Sequence, residues 1–129
     1  MDISMEFQHW RVIIVEDEYD SQQMVSKILT FHGVQVIVAK DGHECLKLLT
    51  TSQPTFIVTD LAMPGMDGWQ TLQAIRANPI TEKIPVIAIT AYHSPMTADG
   101  AMKAGFNAYF SKPVDPRTFV QSLAKIIAA

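Results

Sequence analysis

A single cysteine, Cys45, stands in a chain of 129 residues. No internal disulfide can form, which excludes a small secreted scaffold stapled by several bridges and fits a reducing compartment. Positive charge is also scarce, with 10 Lys and Arg against 13 Asp and Glu, a net charge of −3. The chain thus lacks the basic footprint of a nucleic-acid binder and the polybasic patch of a membrane-surface protein. No apolar run approaches the ~18 residues of a membrane span. The segment Met1 to Trp10 lacks the charged start and apolar core of a signal peptide. There is no Gly-x-x-x-x-Gly-Lys phosphate loop, internal repeat or low-complexity tract. His9, His32, His43 and His93 lack metal-site spacing. At 48% hydrophobic and 18% charged residues, the chain reads as one globular domain with its own core, expected in the cytoplasm.

Short β-branched runs alternate with stretches of helical spacing. Val12 to Val15 reads as a buried strand, and Ser21 to Phe31 as a helix with Met24, Val25, Ile28 and Leu29 on one face, ended by Gly33. Val34 to Val38 alternates as an edge strand would, and Asp41 to Thr50 reads as a second helix with Cys45 on its apolar side. Phe56 to Thr59 is a third strand ending on Asp60, followed by a Pro64-Gly65 turn. Asp67 should cap a helix over Gly68 to Ala77, with Trp69, Leu72 and Ile75 inward. Pro85 opens a fourth strand, Val86 to Thr90, and Pro95 a fourth helix to about Ala104, in which Gly100 costs about 1 kcal/mol relative to Ala. Ala108 to Phe110 is a brief fifth strand. Pro116 is expected near the first turn of a last helix whose apolar face is Phe119, Val120, Leu123, Ile126 and Ile127. Five strands alternating with five helices predict an α/β fold, a parallel sheet covered on both faces with its site beyond the carboxyl ends of the strands.

Glu16, Asp17 and Glu18 follow the first strand, Asp60 the third, Thr90 and Ala91 end the fourth, and Lys112 follows the fifth. Taken singly, each has an ordinary reading as a dipole partner, turn residue, strand residue or surface charge. Taken together, they converge at one end of the sheet. Glu16, Asp17 and Asp60 would raise one another's pKa unless positive charge sits among them. Lys112 supplies one charge, and the excess suits a hard, oxygen-seeking cation such as Mg²⁺. A hydroxyl and an ammonium facing a carboxylate and a metal make a place for a phosphoryl group, with the isolated Asp60 as its acceptor.

The stretches Val15-Glu16-Asp17, Thr59 through Gly68, Thr90-Ala91 and Tyr109-Phe110-Ser111-Lys112-Pro113 resemble the receiver domains of bacterial two-component response regulators. The resemblance runs from about Arg11 to Ala128. It implies a flavodoxin-like doubly wound sheet of order 2-1-3-4-5 with five helices, over residues 11–129 after a leader at 1–10. It implies Asp60 as phosphoacceptor and Mg²⁺ held by Asp17, Asp60, the Ala62 carbonyl and Glu16, the last through water. Glu16 stands where Asp is commoner. Lys112 resembles the lysine that pairs with Asp60 and then with the phosphoryl oxygens, and the Lys112-Pro113 bond resembles a cis peptide. Thr90 and Tyr109 resemble the switch pair. Ala62 and Tyr92 sit where relatives often carry polar residues that orient an attacking water, so slow self-dephosphorylation is expected.

The implied donor is a histidine kinase or histidine phosphotransfer protein. The implied output is a protein effector at the face made by the fourth helix, fifth strand and fifth helix, without direct nucleic-acid or membrane contact. Pairing of two copies through the fourth-helix face stays open. The chain would catalyse its own phosphorylation but act mainly as a switch. Two alternatives stand beside this reading: a binding module that works without phosphorylation, and a receiver excised from a hybrid histidine kinase. Glu16-Asp17-Glu18 would repel a flavin phosphate, and it is not the Asp-x-Asp of an aspartyl phosphatase.

Overall fold

The computed structural model describes residues 7–128. In chain order its elements are β1 (Arg11–Val15), α1 (Tyr19–Phe31), β2 (Gln35–Ala39), α2 (Gly42–Leu48), β3 (Phe56–Asp60), α3 (Gly68–Ala77), β4 (Val86–Thr90), α4 (Pro95–Ala104), β5 (Ala108–Ser111) and α5 (Phe119–Ala128). All strand pairs are parallel, as the alternation of elements predicts, and the sheet order is β2-β1-β3-β4-β5, as the resemblance implies.

Successive strand residues point to opposite faces of a sheet. Here both faces are buried, which is why the central strands read as unbroken apolar runs. Val12, Ile14, Phe56, Val58, Ile87 and Ile89 face one cluster with Val25 and Leu29 of α1 and Phe119, Val120 and Leu123 of α5. Ile13, Val15, Ile57, Val86 and Ala88 face the other, with Cys45 of α2, Leu72 and Ile75 of α3, and Ala101 of α4. β3 and β4 are buried throughout, whereas β2 and β5 at the edges are partly exposed. Burial pushes the Cys45 thiol up to about 12, so it behaves as an inert apolar side chain.

The expected α3, β4 and α4 coincide with the observed elements. Asp67 caps α3 through a reciprocal box, its carboxylate accepting the Gln70 N–H while the Gln70 side chain accepts the Asp67 N–H. The boundaries of β1, β2, β3 and β5 differ by one residue, and those of three helices by more. α1 begins two residues before Ser21. α2 stops at Leu48, because the Thr50 and Thr51 hydroxyls turn back onto the Lys47 and Leu48 carbonyls. α5 starts at Phe119, and Pro116 lies in a preceding turn where the Asp115 carbonyl accepts from the Thr118 and Phe119 amides. The leader falls partly outside the described residues, but Phe7 and Trp10 lie in the first core cluster. Trp10 meets Phe56 edge-on at 5.2 Å and Phe7 at 4.4 Å. Met63 is buried, whereas Met24, Met96 and Met102 are exposed. α4 buries only Ala101, in keeping with its weak helical sequence. Among the described residues, no helix is long and apolar enough to cross a membrane.

Candidate phosphoryl-acceptor site

Strand register builds the site. Val15 lies level with Thr59, Asp60 with Ile89, and Thr90 with Ser111. Residues that end or follow these strands therefore share one rim, so Glu16, Asp17, Asp60, Thr90 and Lys112 come from four strands to one place. One carboxylate oxygen each from Glu16, Asp17 and Asp60 lie within 4.8 Å of one another.

Asp60 is nearly buried and both its carboxylate oxygens are engaged. Oδ1 accepts the Ala62 N–H at 3.2 Å and Oδ2 accepts the Lys112 ammonium at 2.9 Å. The loop that follows is pinned by the Leu61 N–H on the Ile89 carbonyl and the Gly68 N–H on the Leu61 carbonyl, both at 3.1 Å. Gly65 makes its turn at φ +76°, a conformation that side chains disfavour. Gly68 lets α3 start against the acceptor strand, for a Cβ there would stand 2.3 Å from the Asp60 carbonyl oxygen. Met66 packs against Gly42, beneath the same loop.

The Lys112 ammonium donates to Glu16, to Asp60 and, at 3.3 Å, to the Ser21 hydroxyl. Glu16 is fully buried, its other oxygen accepting the Glu18 N–H at 3.2 Å, and the Gln22 side chain donates to its carbonyl at 2.7 Å. Burial raises the Glu16 carboxyl above the usual carboxylate range against the pull of Lys112, and the nearby Asp60 charge adds to the rise. Burial alone would lower Lys112, but its hydrogen bonds to Glu16 and Asp60 outweigh that and hold it above its ordinary value. Asp17 is exposed at the mouth. Three carboxylates against one ammonium leave negative charge uncompensated. A donor set made only of oxygens, one member open to solvent, fits a hard divalent cation that keeps part of its water.

Thr90 is buried, and its hydroxyl accepts the Tyr92 N–H at 3.0 Å, with no bond to Asp60. Tyr109 is half-buried, and its hydroxyl bonds His93 Nδ1 at 2.9 Å. Ala62 and Tyr92 are exposed and flank the opening. The Lys112–Pro113 peptide is cis. An apolar hollow of about 280 Å³ is lined by Lys112 with Ser21, Met24, Val25, Ala91, Pro113 and Val114. Ser21, Gln22 and His93 are participants that sequence reasoning missed. The first two lie on α1, which carries no strand-end signal, and His93 is a lone histidine in a loop.

Residues 12–124 match the family model of the response regulator receiver domain. A probable chemotaxis protein CheY from Rhizobium etli is 36% identical over 104 residues, 80% of this chain and 81% of that protein. A response regulator structure from Chloroflexus aurantiacus superposes with a TM-score of 0.88 at 28% identity, covering 93% of this chain and 98% of its own. The receiver domain of the sensor histidine kinase PA1611 from Pseudomonas aeruginosa, solved with a magnesium ion in its active-site cleft, gives 0.84 at 25% identity, covering 93% and 98%.

Proposed function

Because the chain belongs to the response regulator receiver domain family of two-component signalling, we propose that Asp60 is its phosphoacceptor, loaded from a phosphohistidine on a histidine kinase or phosphotransfer protein. The observation that carries this reading is the Lys112 ammonium bridging Glu16 and Asp60, with Asp17 close by. The bond from phosphorus to the histidine nitrogen breaks as the bond from phosphorus to an Asp60 oxygen forms. Such transition states are loose, so positioning and charge neutralisation supply most of the catalysis.

The Ala62 N–H and the Lys112 ammonium orient the Asp60 carboxylate. As the acyl phosphate forms, Lys112 passes from the consumed carboxylate oxygen to the phosphoryl oxygens, still anchored by buried Glu16. Asp17, Asp60, Glu16 and the Ala62 carbonyl would hold Mg²⁺, whose charge offsets that of the incoming phosphoryl group. The acyl phosphate carries a charge of about −2 in place of the single negative charge of the carboxylate it consumes. The Thr90 hydroxyl then has a stronger partner than the Tyr92 amide, which draws it toward Asp60 and disturbs the loop before α4. The face of α4, β5 and α5 carries the output to a protein effector. Tyr92 at 75% and Met96 at 84% exposure, together with half-exposed Met102, supply its apolar contacts.

Intact mass after incubation with acetyl phosphate tests the chemistry. The expected result is one added phosphoryl group that needs both Mg²⁺ and Asp60, and that is absent in Asp60→Asn. A folded wild type that gains no mass overturns this reading in favour of a binding module that works without phosphorylation.

The lifetime of the acyl phosphate gives a second expectation. Ala62 presents only a methyl group at the mouth, and Tyr92 extends into solvent, so neither side chain orients an attacking water. Ala62→Asn, which adds a donor and an acceptor, should shorten the lifetime about tenfold, less than the ~100-fold of a full general base because an amide orients the water without taking its proton. Single-turnover loss of label measures it, and an unchanged lifetime counts against the role of Ala62.

A further inference from the structure

The loop from Ala91 to Ser94 is tied at three points. Its Tyr92 N–H is bonded to the Thr90 hydroxyl at 3.0 Å. Its His93 ring meets the Tyr109 ring at a centroid distance of 5.5 Å, with Nδ1 2.9 Å from the phenolic oxygen. Its Ser94 hydroxyl accepts the Thr97 N–H at 3.0 Å and caps α4. The second tie joins β5 to the segment that leads directly into α4. It is a side-chain bond across 16 residues of sequence. No backbone pairing enforces it, so it reflects the choice of histidine at position 93.

We propose that His93 is a positioning residue that fastens the Tyr109 ring to the loop before α4 and so holds the unphosphorylated arrangement. The proposal rests on the reading above, in which loading Asp60 draws Thr90 toward it, and on the resemblance that makes Tyr109 the second member of the switch pair, its ring following Thr90 inward. The imidazole makes this bond in either tautomer, since Nδ1 accepts from the phenol in one and donates to its oxygen in the other. A Tyr109 ring that turns inward must leave His93. On this proposal the bond belongs to the resting arrangement, and whatever stabilises one of two states shifts the population toward it. Removing it should therefore favour the loaded arrangement without any change at Asp60, Asp17, Glu16 or Lys112.

His93 is exposed, so its replacement leaves the core intact. His93→Phe keeps a ring against Tyr109 but loses the hydrogen bond, and Tyr109→Phe removes the same bond from the other side. Two measurements decide the matter. The first is the affinity for beryllofluoride, a phosphoryl analogue, in the presence of Mg²⁺. Each variant should bind it about threefold to tenfold more tightly than wild type, the range for losing one modest hydrogen bond from a competing state. The double variant should gain nothing further, because both changes remove one interaction. The second is the χ1 rotamer of Tyr109 in the unloaded protein, read by NMR couplings. It should be single in wild type and averaged in His93→Phe.

Wild-type binding together with unchanged affinity in His93→Phe overturns the proposal, whatever the rotamer does. So do gains that multiply in the double variant. If wild type fails to bind beryllofluoride, the phosphoacceptor reading falls and the rotamer alone decides. Averaging in His93→Phe then sustains the tie, and a single rotamer overturns it.

Discussion

Lys112→Met should cost about 3 kcal/mol of stability, the lower end for breaking a buried ion pair by removing one partner. Glu16 is fully buried and the Lys112 side chain is only 14% exposed, so solvent cannot replace the lost ammonium. Three carboxylate oxygens within 4.8 Å would be left without their cation. The companion change Glu16→Gln removes the stranded charge, and the double variant should recover most of the loss. Stability and function then separate. The double variant should remain about 100-fold or more slower in phosphoryl transfer, the usual penalty for removing one preorganised donor at developing charge. Urea unfolding and single-turnover phosphorylation measure the two effects. A Lys112→Met chain within about 0.5 kcal/mol of wild type, the scatter of ordinary surface changes, would refute the structural role.

Gly68→Ala should be the most damaging single-methyl change at the site. The added Cβ would lie 2.3 Å from the Asp60 carbonyl oxygen and 2.9 Å from the Leu61 Cα. Both neighbours are backbone, so no side chain can rotate away, and either α3 or the acceptor strand must move. Overpacking of this kind costs about 1–3 kcal/mol. Asp60 moves with its carbonyl, and a displacement near 1 Å slows a positioned reaction by about 100-fold. Gly65→Ala is the control. Its Cβ meets nothing within 4 Å, but φ is +76°, so the cost is backbone strain of about 1 kcal/mol with the acceptor left in place. Equal transfer rates in the two variants would show that the close approach of α3 does not set the position of Asp60.

Which features the sequence revealed follows from how local their causes are. α3, β4 and α4 coincide with expectation because each carries its own boundary marker: Asp67, Pro85 and Pro95. Local chemistry also explains the errors. Pro116 suits a helix start, but Asp115 takes the following amides into a turn first, and the hydroxyls of Thr50 and Thr51 end α2 early. The convergence of Glu16, Asp17, Asp60 and Lys112 was legible because each follows a strand, and a parallel sheet brings such positions together. The contacts made by Ser21, Gln22 and His93 were not. They depend on the docking of α1 and of the loop before α4, which no spacing in the chain encodes. Nor could local patterning reveal that Glu16 is wholly buried, since its partner Lys112 is 96 residues away.

The two tryptophans lie on opposite faces of the sheet. Trp10 packs against Phe7 and Phe56 where the strands begin, in a cluster shared with Val34. Trp69 follows Gly68 in the first turn of α3, edge-on to Phe106 at 5.6 Å, and its ring edge lies where a Cβ on Gly100 of α4 would touch it at 3.8 Å. Intrinsic emission therefore divides into two optical channels, one at the sheet's far end and one between the acceptor loop and the helix that loading is expected to disturb. With Trp10→Phe the remaining fluorophore reports on the signalling end alone, and with Trp69→Phe the remaining one reports on the integrity of the fold.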